Sequence, residues 1–286
     1  MNAYILLIKS PDQKGIVAKT TTFVFERGFN ILDCQQHADP ISGDFFMRLK
    51  LEVEDKSLGL DDLKQAFAPI ADVLGLEVSF YDCSFVERVA ILVSRTSHCL
   101  YDLLVRVKEG ELDCDVPLVI GNHDSLSDVA QRFDIPFHHL PVTADTRADQ
   151  EGAIRRLLQE HRIGLIVLAR YMQILSPQFV ADHEGRIINI HHAFLPAFQG
   201  AGAYQRAYER GVKMIGATAH YVTAELDQGP IIEQDTERVT HEYAPRDLRR
   251  IGRDIERVVL AKAVKAHLEH RIIIAGQRTI VFSDGV

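Results

Sequence analysis

Residues 164–169 read G-L-I-V-L-A, six consecutive positions without a polar side chain. A strand with one face toward water alternates apolar and polar residues, so a short continuous apolar run is typical of a strand that is buried on both faces. Strands of that kind occur in parallel sheets covered by helices on both sides. This segment therefore predicts an α/β domain built on a doubly wound, mostly parallel sheet.

Apolar runs and helical spacings alternate on both sides of this segment. The predicted strands are residues 89–93, 116–120, 136–140, 187–190, 217–222 and 230–234. The predicted helices are residues 100–107, 126–133, 153–160, a turn begun by Pro177, and 245–269, whose last turn carries His267 and His270. The tail, residues 271–282, is expected to form an edge hairpin. All of these elements are assigned to one domain, residues 84–286.

The first 83 residues follow a different pattern. Strands are predicted at residues 4–8, 31–35, 45–53 and 76–81, and helices at 16–24 and 60–74. In residues 45–53 apolar and polar positions largely alternate, which predicts a strand with one buried face. The order β-α-β-β-α-β is that of a ferredoxin-like fold. The junction at residues 82–87 lacks Gly and Pro, so it is not a loose linker between the domains 1–83 and 84–286.

Composition limits the function classes. The formal net charge of −8 and the absence of a Lys/Arg cluster argue against nucleic acid as a partner. The chain shows neither a membrane-spanning apolar stretch nor a signal peptide, so no membrane partner and a cytoplasmic location are expected. The four cysteines lack C-x-x-C spacing, which predicts free thiols and no zinc site. Small-molecule chemistry is favoured.

Polar residues that suit acid–base chemistry follow two of the predicted strands. Asn189 and His191 are two positions apart, so on an extended chain they point the same way. Asp227 lies before the Gly229–Pro230 turn, from which a carboxylate can reach that imidazole. An amide and an imidazole arranged in this way can both face one small group.

Two motifs near the N-terminus, S-P-D-Q-K-G-I-V and G-F-N-I-L, resemble the ACT domain, a family that binds amino acids as effectors. The resemblance implies a homo-oligomer, a dimer or a tetramer, with glycine and methionine as the first effector candidates. The effector-binding residues it implies are Asp12, Gly15, Ile16, Asn30 and Ile31. Taken alone, Asp12 is equally consistent with a helix cap and Gly15 with a turn.

The motifs N-I-H, L-P, L-D-x-G-P-I-I and A-R-Y-M-Q-I-L-S-P resemble the folate-dependent formyltransferase family, and H-H-A-F-L-P-A-F with G-A-T-A-H-Y-V resembles its hydrolytic branch. The resemblance implies hydrolysis of 10-formyltetrahydrofolate to formate and tetrahydrofolate, without a cofactor or a metal, and a role in supplying formate for purine synthesis and balancing folate pools. It implies that Asn189, His191 and Asp227 are catalytic. The implied substrate-binding residues are Met172, Gln173, Ile174, Leu175, His192, Glu225 and Leu226.

The acceptor of the formyl group is a further question. Residues 94–98, S-R-T-S-H, lack the glycines with which the family's glycinamide ribonucleotide transferases hold a phosphate, and this favours water. Residues 200–204 also depart from the family pattern. Transfer to another amine and a non-catalytic sensor stay open as alternatives. The division of proton transfer between His191 and Asp227 stays open too, since Asp227 as a base needs a pKa above the usual ~3.9.

Overall fold

The structure is a computed structural model that describes residues 3–53, 59–197, 200 and 202–284. Its contacts divide the chain into two compact units. The first unit runs to Val86 and also includes Glu269–Ala275 and the residues from Ile280 onward, whereas the second comprises Glu87–Leu268 and Gly276–Thr279. The predicted division assigned the whole tail to the second domain, whereas most of the tail lies in the first unit.

The first unit has the predicted β-α-β-β-α-β order. Its elements are β1 (Ala3–Pro11), α1 (Ile16–Glu26), β2 (Asn30–Ala38), β3 (Asp44–Glu52), α2 (Leu60–Leu74) and β4 (Glu77–Asp82). The strands form an antiparallel sheet in the order β2-β3-β1-β4. Alternate side chains of β1 and β3, such as Leu6 and Leu49, share a core with Phe23 of α1 and Phe67 of α2. The predicted ferredoxin-like fold is confirmed.

The tail buries the other face of this sheet. Ile273 and Phe282 form a second core with Ile5, Leu7 and Phe46. For this reason the prediction that β3 has one buried face is wrong: Phe46 and Arg48, on the face expected to meet solvent, are 0% and 5% exposed.

Arg48 of β3 holds the first residues of the tail by their backbone. Its guanidinium donates to the carbonyl oxygens of Glu269 and His270, at 3.1 Å each, and pairs with Asp33 at 2.8 Å. The ring of His270 stacks on that of Tyr81, with 3.8 Å between the ring centroids. The buried donors of Arg48, a charged residue in the middle of an apolar strand, thus have hydrogen-bond acceptors.

The second unit is the predicted α/β domain. Its strands are β5 (Glu87–Val93), β6 (Cys114–Gly121), β7 (Phe137–His139), β8 (Leu165–Ala169), β9 (Ile187–His191), β10 (Met214–Tyr221) and β11 (Ile231–Arg238). Its helices are α3 (His98–Lys108), α4 (Ser127–Gln131), α5 (Arg147–Glu160), α6 (Pro177–Asp182), α7 (Ala203–Glu209) and α8 (Pro245–Leu268). The tail adds β12 (Ile272–Ala275) and β13 (Arg278–Val281).

The seven strands of the second unit are ordered β11-β10-β9-β8-β5-β6-β7. β9, β8, β5, β6 and β7 run parallel, and β10 is antiparallel to both β9 and β11. All five residues of β8 are buried, as the apolar run of residues 164–169 requires. The predicted mostly parallel sheet is confirmed.

Three details differ from the sequence expectations. Helix α7 is absent from the predicted helices; it begins after Gly202, whose φ of 75° suits a residue without a side chain. Helix α8 ends at Leu268, so His270, with a φ of 48°, lies beyond it. The tail forms a hairpin, but β12 and β13 make a separate two-stranded sheet instead of extending an edge. Among the described helices, none combines the length and apolar character that crossing a membrane requires.

We expect Phe282→Ala to lower the free energy of unfolding of the first unit by about 3 kcal/mol, since it opens a cavity in the core beneath the tail. Val281→Ala is the matched control, because Val281 is 41% exposed and its truncation should cost little. Urea titrations of both variants measure the effect. Equal losses in the two variants would show that the tail core does not stabilise this unit.

Candidate active site

A cavity of about 280 Å³ opens beyond the carboxyl ends of β8 and β9 in the second unit. This is where open α/β sheets place ligands. All ten residues that the sequence predicted for substrate binding and catalysis line it. They are Met172, Gln173, Ile174, Leu175, Asn189, His191, His192, Glu225, Leu226 and Asp227.

His191 and Asp227 lie side by side inside this cavity. Nδ1 of His191 lies 3.4 Å from Oδ1 of Asp227, and each side chain is 6% exposed. Burial acts to raise the pKa of Asp227, but the hydrogen bond and charge of His191, with the backbone N–H of Gly200, outweigh it and bring that pKa below its ordinary value. The carboxyl group therefore stays ionised near neutral pH.

The backbone at Asp227 is in the left-handed region, with a φ of 56°. This conformation is uncommon for a residue with a side chain, and such residues concentrate at functional sites. The Gly229–Pro230 turn follows, and β11 begins directly after it. The predicted reach of Asp227 to the imidazole thus depends on a strained turn.

His192 lines the same cavity as His191. Its ring centroid lies 5.1 Å from that of His191 and 5.7 Å from that of Tyr204. Burial, and then the positive charge of Arg170, lower the pKa of His192 to about 4. His192 is therefore neutral at physiological pH.

The loop after β8, residues 170–176, is fixed at three points. The N–H of Met172 donates to Oγ of Ser94 at 2.9 Å, and the hydroxyl of Tyr171 donates to Gln150 at 3.3 Å. At the far end the buried carboxylate of Glu151 accepts from both the backbone N–H and the hydroxyl of Ser176. Met172 and Ile174 are more than half exposed, so this rigid loop presents apolar side chains at the cavity mouth.

Arg170, which the sequence analysis did not single out, also lines the cavity. Its φ is 63°, and its Nε lies 3.3 Å from Oε2 of Glu256 on α8. Glu256 is 1% exposed and accepts further bonds from His98 at 2.9 Å and from Tyr204 at 2.6 Å. A signal was present in the sequence: Glu256 lies between Ile255 and Val259 on the buried face of α8, where a charge needs partners.

The same neighbourhood holds the one group of metal-ligand type found in the described part of the chain, formed by His98, Cys99 and Glu256. It suits a metal poorly. The carboxylate of Glu256 is already taken by three donors, the cation Arg170 is adjacent, and burial raises the pKa of the Cys99 thiol well above its ordinary value.

The predicted effector residues do not all meet. Asp12, Gly15 and Ile16 line a cavity of about 670 Å³ in the first unit, together with Gln36 and Phe45. Asn30 and Ile31 lie at the opposite end of β2, where the amide of Asn30 donates to Glu52 at 3.0 Å. Gln36 lies six positions after Asn30, a distance of about 20 Å at the usual rise per strand residue. One chain therefore brings together only the first three.

The fold and this cavity are those of a formyl transferase domain. The formyl transferase family model matches residues 87–264. A crystal structure of glycinamide ribonucleotide transformylase 1 from Symbiobacterium toebii superposes with a TM-score of 0.67 at 31% identity. It covers 69% of this chain but 95% of its own, so about a third of this chain has no counterpart there.

Other relatives match the whole chain. The formyltetrahydrofolate deformylase of Bacillus subtilis is 48% identical over 97% of this chain and 93% of its own length. A crystal structure of the formyltetrahydrofolate deformylase from Pseudomonas syringae superposes with a TM-score of 0.96 at 44% identity, covering 99% of this chain and 95% of that one. This chain belongs to the formyltetrahydrofolate deformylase family. The resemblance drawn from the motifs is confirmed.

We expect Glu256→Gln to lower the free energy of unfolding of the second unit by about 3–5 kcal/mol, because it leaves Arg170, whose side chain is only 14% exposed, without its counter-charge. Asp254→Asn on the same helix is the control, since Asp254 makes an exposed pair with Arg257 that should contribute below about 1 kcal/mol. Denaturant titrations of both variants compare the two. A cost as small as that of the control would mean that Glu256 does not organise this cluster.

Proposed function

We propose that this chain is a hydrolase that transfers the formyl group of 10-formyltetrahydrofolate to water, releasing formate and tetrahydrofolate. The observation that carries the proposal is the buried His191–Asp227 pair beside Asn189, in a cavity of a deformylase-family chain. The formate released would serve purine synthesis, and the reaction would balance the pools of one-carbon folates.

The reaction begins with attack of water on the formyl carbon, which converts the carbonyl oxygen to an oxyanion. The amide of Asn189 donates a hydrogen bond to that oxyanion. Removal of one such donor in other enzymes costs roughly 2.7–4 kcal/mol of transition-state stabilisation. The tetrahedral intermediate then collapses, and the bond between the formyl carbon and the folate nitrogen breaks.

Proton transfer is assigned to His191. Because the pKa of Asp227 is lowered, its carboxylate is a weak base and is better suited to hold Nδ1–H of His191 and to stabilise positive charge on the ring. His191 takes a proton from the attacking water at Nε2 and delivers it to the departing folate nitrogen. The products are formic acid, which ionises to formate, and tetrahydrofolate, so atoms and charges balance with no cofactor and no metal.

The folate lies against the loop after β8. The backbone of residues 172–175 offers hydrogen-bonding groups to the pterin ring, and the exposed side chains of Met172, Ile174 and Leu226 flank the mouth of the cavity. The three tethers of the loop support this role, because a rigid loop loses less entropy when a ligand binds.

The first test measures formate release from 10-formyltetrahydrofolate by the purified, chelator-treated protein. We expect turnover without a second substrate, and Asn189→Ala, His191→Ala and Asp227→Asn should each reduce kcat by about 100-fold or more. Their combinations should cost little beyond the worst single change, since the three groups serve one transition state.

Two results would contradict this scheme. Strict dependence on an added amine, such as glycinamide ribonucleotide, would assign the chain to the transferases. A single variant with near-normal kcat would remove the role given to that residue.

We also propose that the first unit regulates the enzyme by binding a small amino acid, with glycine and methionine as the first candidates. The cavity beside Asp12 and Gly15 supports this, because backbone N–H groups at the start of α1 suit a carboxylate and the absence of a side chain at Gly15 leaves the backbone open. In the homo-oligomer that the ACT resemblance implies, the effector biases how chains dock, with a coupling of about 1–3 kcal/mol.

Calorimetric titration of glycine and methionine into the full chain tests this regulation, with hydrolysis rates measured alongside. We expect Gln36→Ala, in the cavity lining, to weaken binding and Asn30→Ala, at the other end of the same strand, to leave it unchanged. Loss of binding in Asn30→Ala instead would place the effector at a site completed by a second chain. If neither amino acid binds, the first unit is an assembly module.

A further inference from the structure

Asn189 has a cross-strand partner that the reaction scheme has not used. β9 and β10 pair antiparallel, and in their register Asn189 lies opposite His220. Directly opposed residues of an antiparallel pair project from the same face, so the two side chains meet. Nδ2 of Asn189 lies 3.2 Å from Nε2 of His220. His220 itself is 2% exposed and lines the cavity.

The hydrogen-bond partners of His220 determine which nitrogen carries the proton. Its Nδ1 lies 2.8 Å from the carbonyl oxygen of Tyr221. A carbonyl oxygen can only accept, so Nδ1 bears the hydrogen. In a neutral imidazole the other nitrogen, Nε2, then has a lone pair and must accept. Burial lowers the pKa of His220, and the charge of His191 lowers it further. The bond to Tyr221 and the charge of Asp227 act in the opposite direction but do not outweigh burial. The ring therefore stays neutral.

This tautomer fixes the orientation of the Asn189 amide. Only the NH₂ group can donate to Nε2, so the amide nitrogen must face His220. One of its two hydrogens is used there, and Asn189 makes no other side-chain hydrogen bond within the described residues. The second hydrogen remains for a ligand oxygen. If the amide turned by 180° about its last side-chain bond, its oxygen would occupy that position and repel an oxyanion.

A glycine protects the carbonyl that sets the tautomer. A Cβ atom at Gly229 would collide with the carbonyl oxygen of Tyr221 and come within 3.3 Å of Nδ1 of His220. The N–H of Tyr221 donates to the carbonyl of Pro230 at 2.9 Å, which holds the two segments this close. The G-P dipeptide after Asp227 thereby connects the turn that carries the catalytic carboxylate to the environment of His220.

We propose that His220 is a positioning residue of the hydrolysis, which holds the Asn189 amide with its nitrogen toward the formyl oxygen. The proposal rests on the proposed function. His220 acts only through Asn189 and exchanges no proton during the reaction. This role differs from that of His191, which the scheme places in contact with the reacting water.

The kinetic test compares His220→Leu and His220→Gln, because a Gln side chain can place an acceptor oxygen near the position of Nε2. We expect His220→Leu to reduce kcat by about 10- to 100-fold, below the 10²–10³ typical for loss of the whole donor, with little change in KM. His220→Gln should recover a large part of that loss. In an Asn189→Ala background, His220→Leu should cause no further loss.

The matched control is His267→Leu. His267 is another imidazole bonded to Tyr221, through the hydroxyl at 2.7 Å, but it does not line the cavity. Its removal should leave kcat unchanged. If His220→Leu lowers kcat equally in the native and Asn189→Ala backgrounds, or if the two His variants behave alike, His220 only stabilises the fold.

A readout without substrate separates this proposal from the proposed function. ¹⁵N–¹H correlation spectra of the histidine rings in the native chain should show His220 with its hydrogen on Nδ1 and a lone pair on Nε2. The side-chain NH₂ of Asn189 should exchange with solvent more slowly in the native chain than in His220→Leu. A hydrogen on Nε2, or unchanged exchange, would overturn the positioning role even in an active enzyme, whereas correct spectra in an inactive one would refute only the hydrolysis.

Discussion

The antiparallel pairing of β9 with β10 is the interaction on which the candidate site depends. Its register sets Asn189 opposite His220 and His191 opposite Thr218. The hydroxyl of Thr218 donates to the carbonyl of Ala193 and accepts from the N–H of Leu195, at 2.9 and 3.0 Å. The strand pair therefore aligns the polar residues and also fixes the loop that follows them. A slip of one residue would turn Asn189 and His191 to the other face of the sheet.

Two carboxylates near the cavity, those of Asp227 and Glu256, are each held by their own set of partners. Asp227 is held by His191 and by a backbone N–H, and Glu256 by His98, Arg170 and Tyr204. In both cases burial acts to raise the pKa and the partners lower it below the ordinary value. A carboxylate costs too much to bury without such partners. The two sets of partners have different roles. Those of Glu256 hold a group of packed side chains together, whereas His191, the partner of Asp227, faces the substrate cavity.

Local patterns predicted the parts of the molecule in which local and tertiary preferences agree. The apolar run of residues 164–169 became the fully buried β8, and the spacing of Asn189, His191 and Asp227 across two loops predicted their meeting in one cavity. Long-range pairing was not predictable in this way. Nothing near Arg48 in sequence indicates that the carbonyls of Glu269 and His270, more than 200 positions away, satisfy it. The tail was for that reason assigned to the wrong side of the boundary between the two units.

The same limit explains why His220 had no predicted role, whereas the spacing of His191 from Asn189 was visible in the sequence. Both are histidines on neighbouring strands of one sheet, and what distinguishes them is the group that faces Nδ1. At Nδ1 of His191 that group is the carboxylate of Asp227, which stabilises positive charge on the ring and suits the ring to carry a proton. Opposite His220 it is an uncharged carbonyl in a buried setting, which holds the ring neutral as an acceptor. A motif shows that two imidazoles are present, but the chemistry of each is decided by an oxygen atom that only the folded chain places beside it.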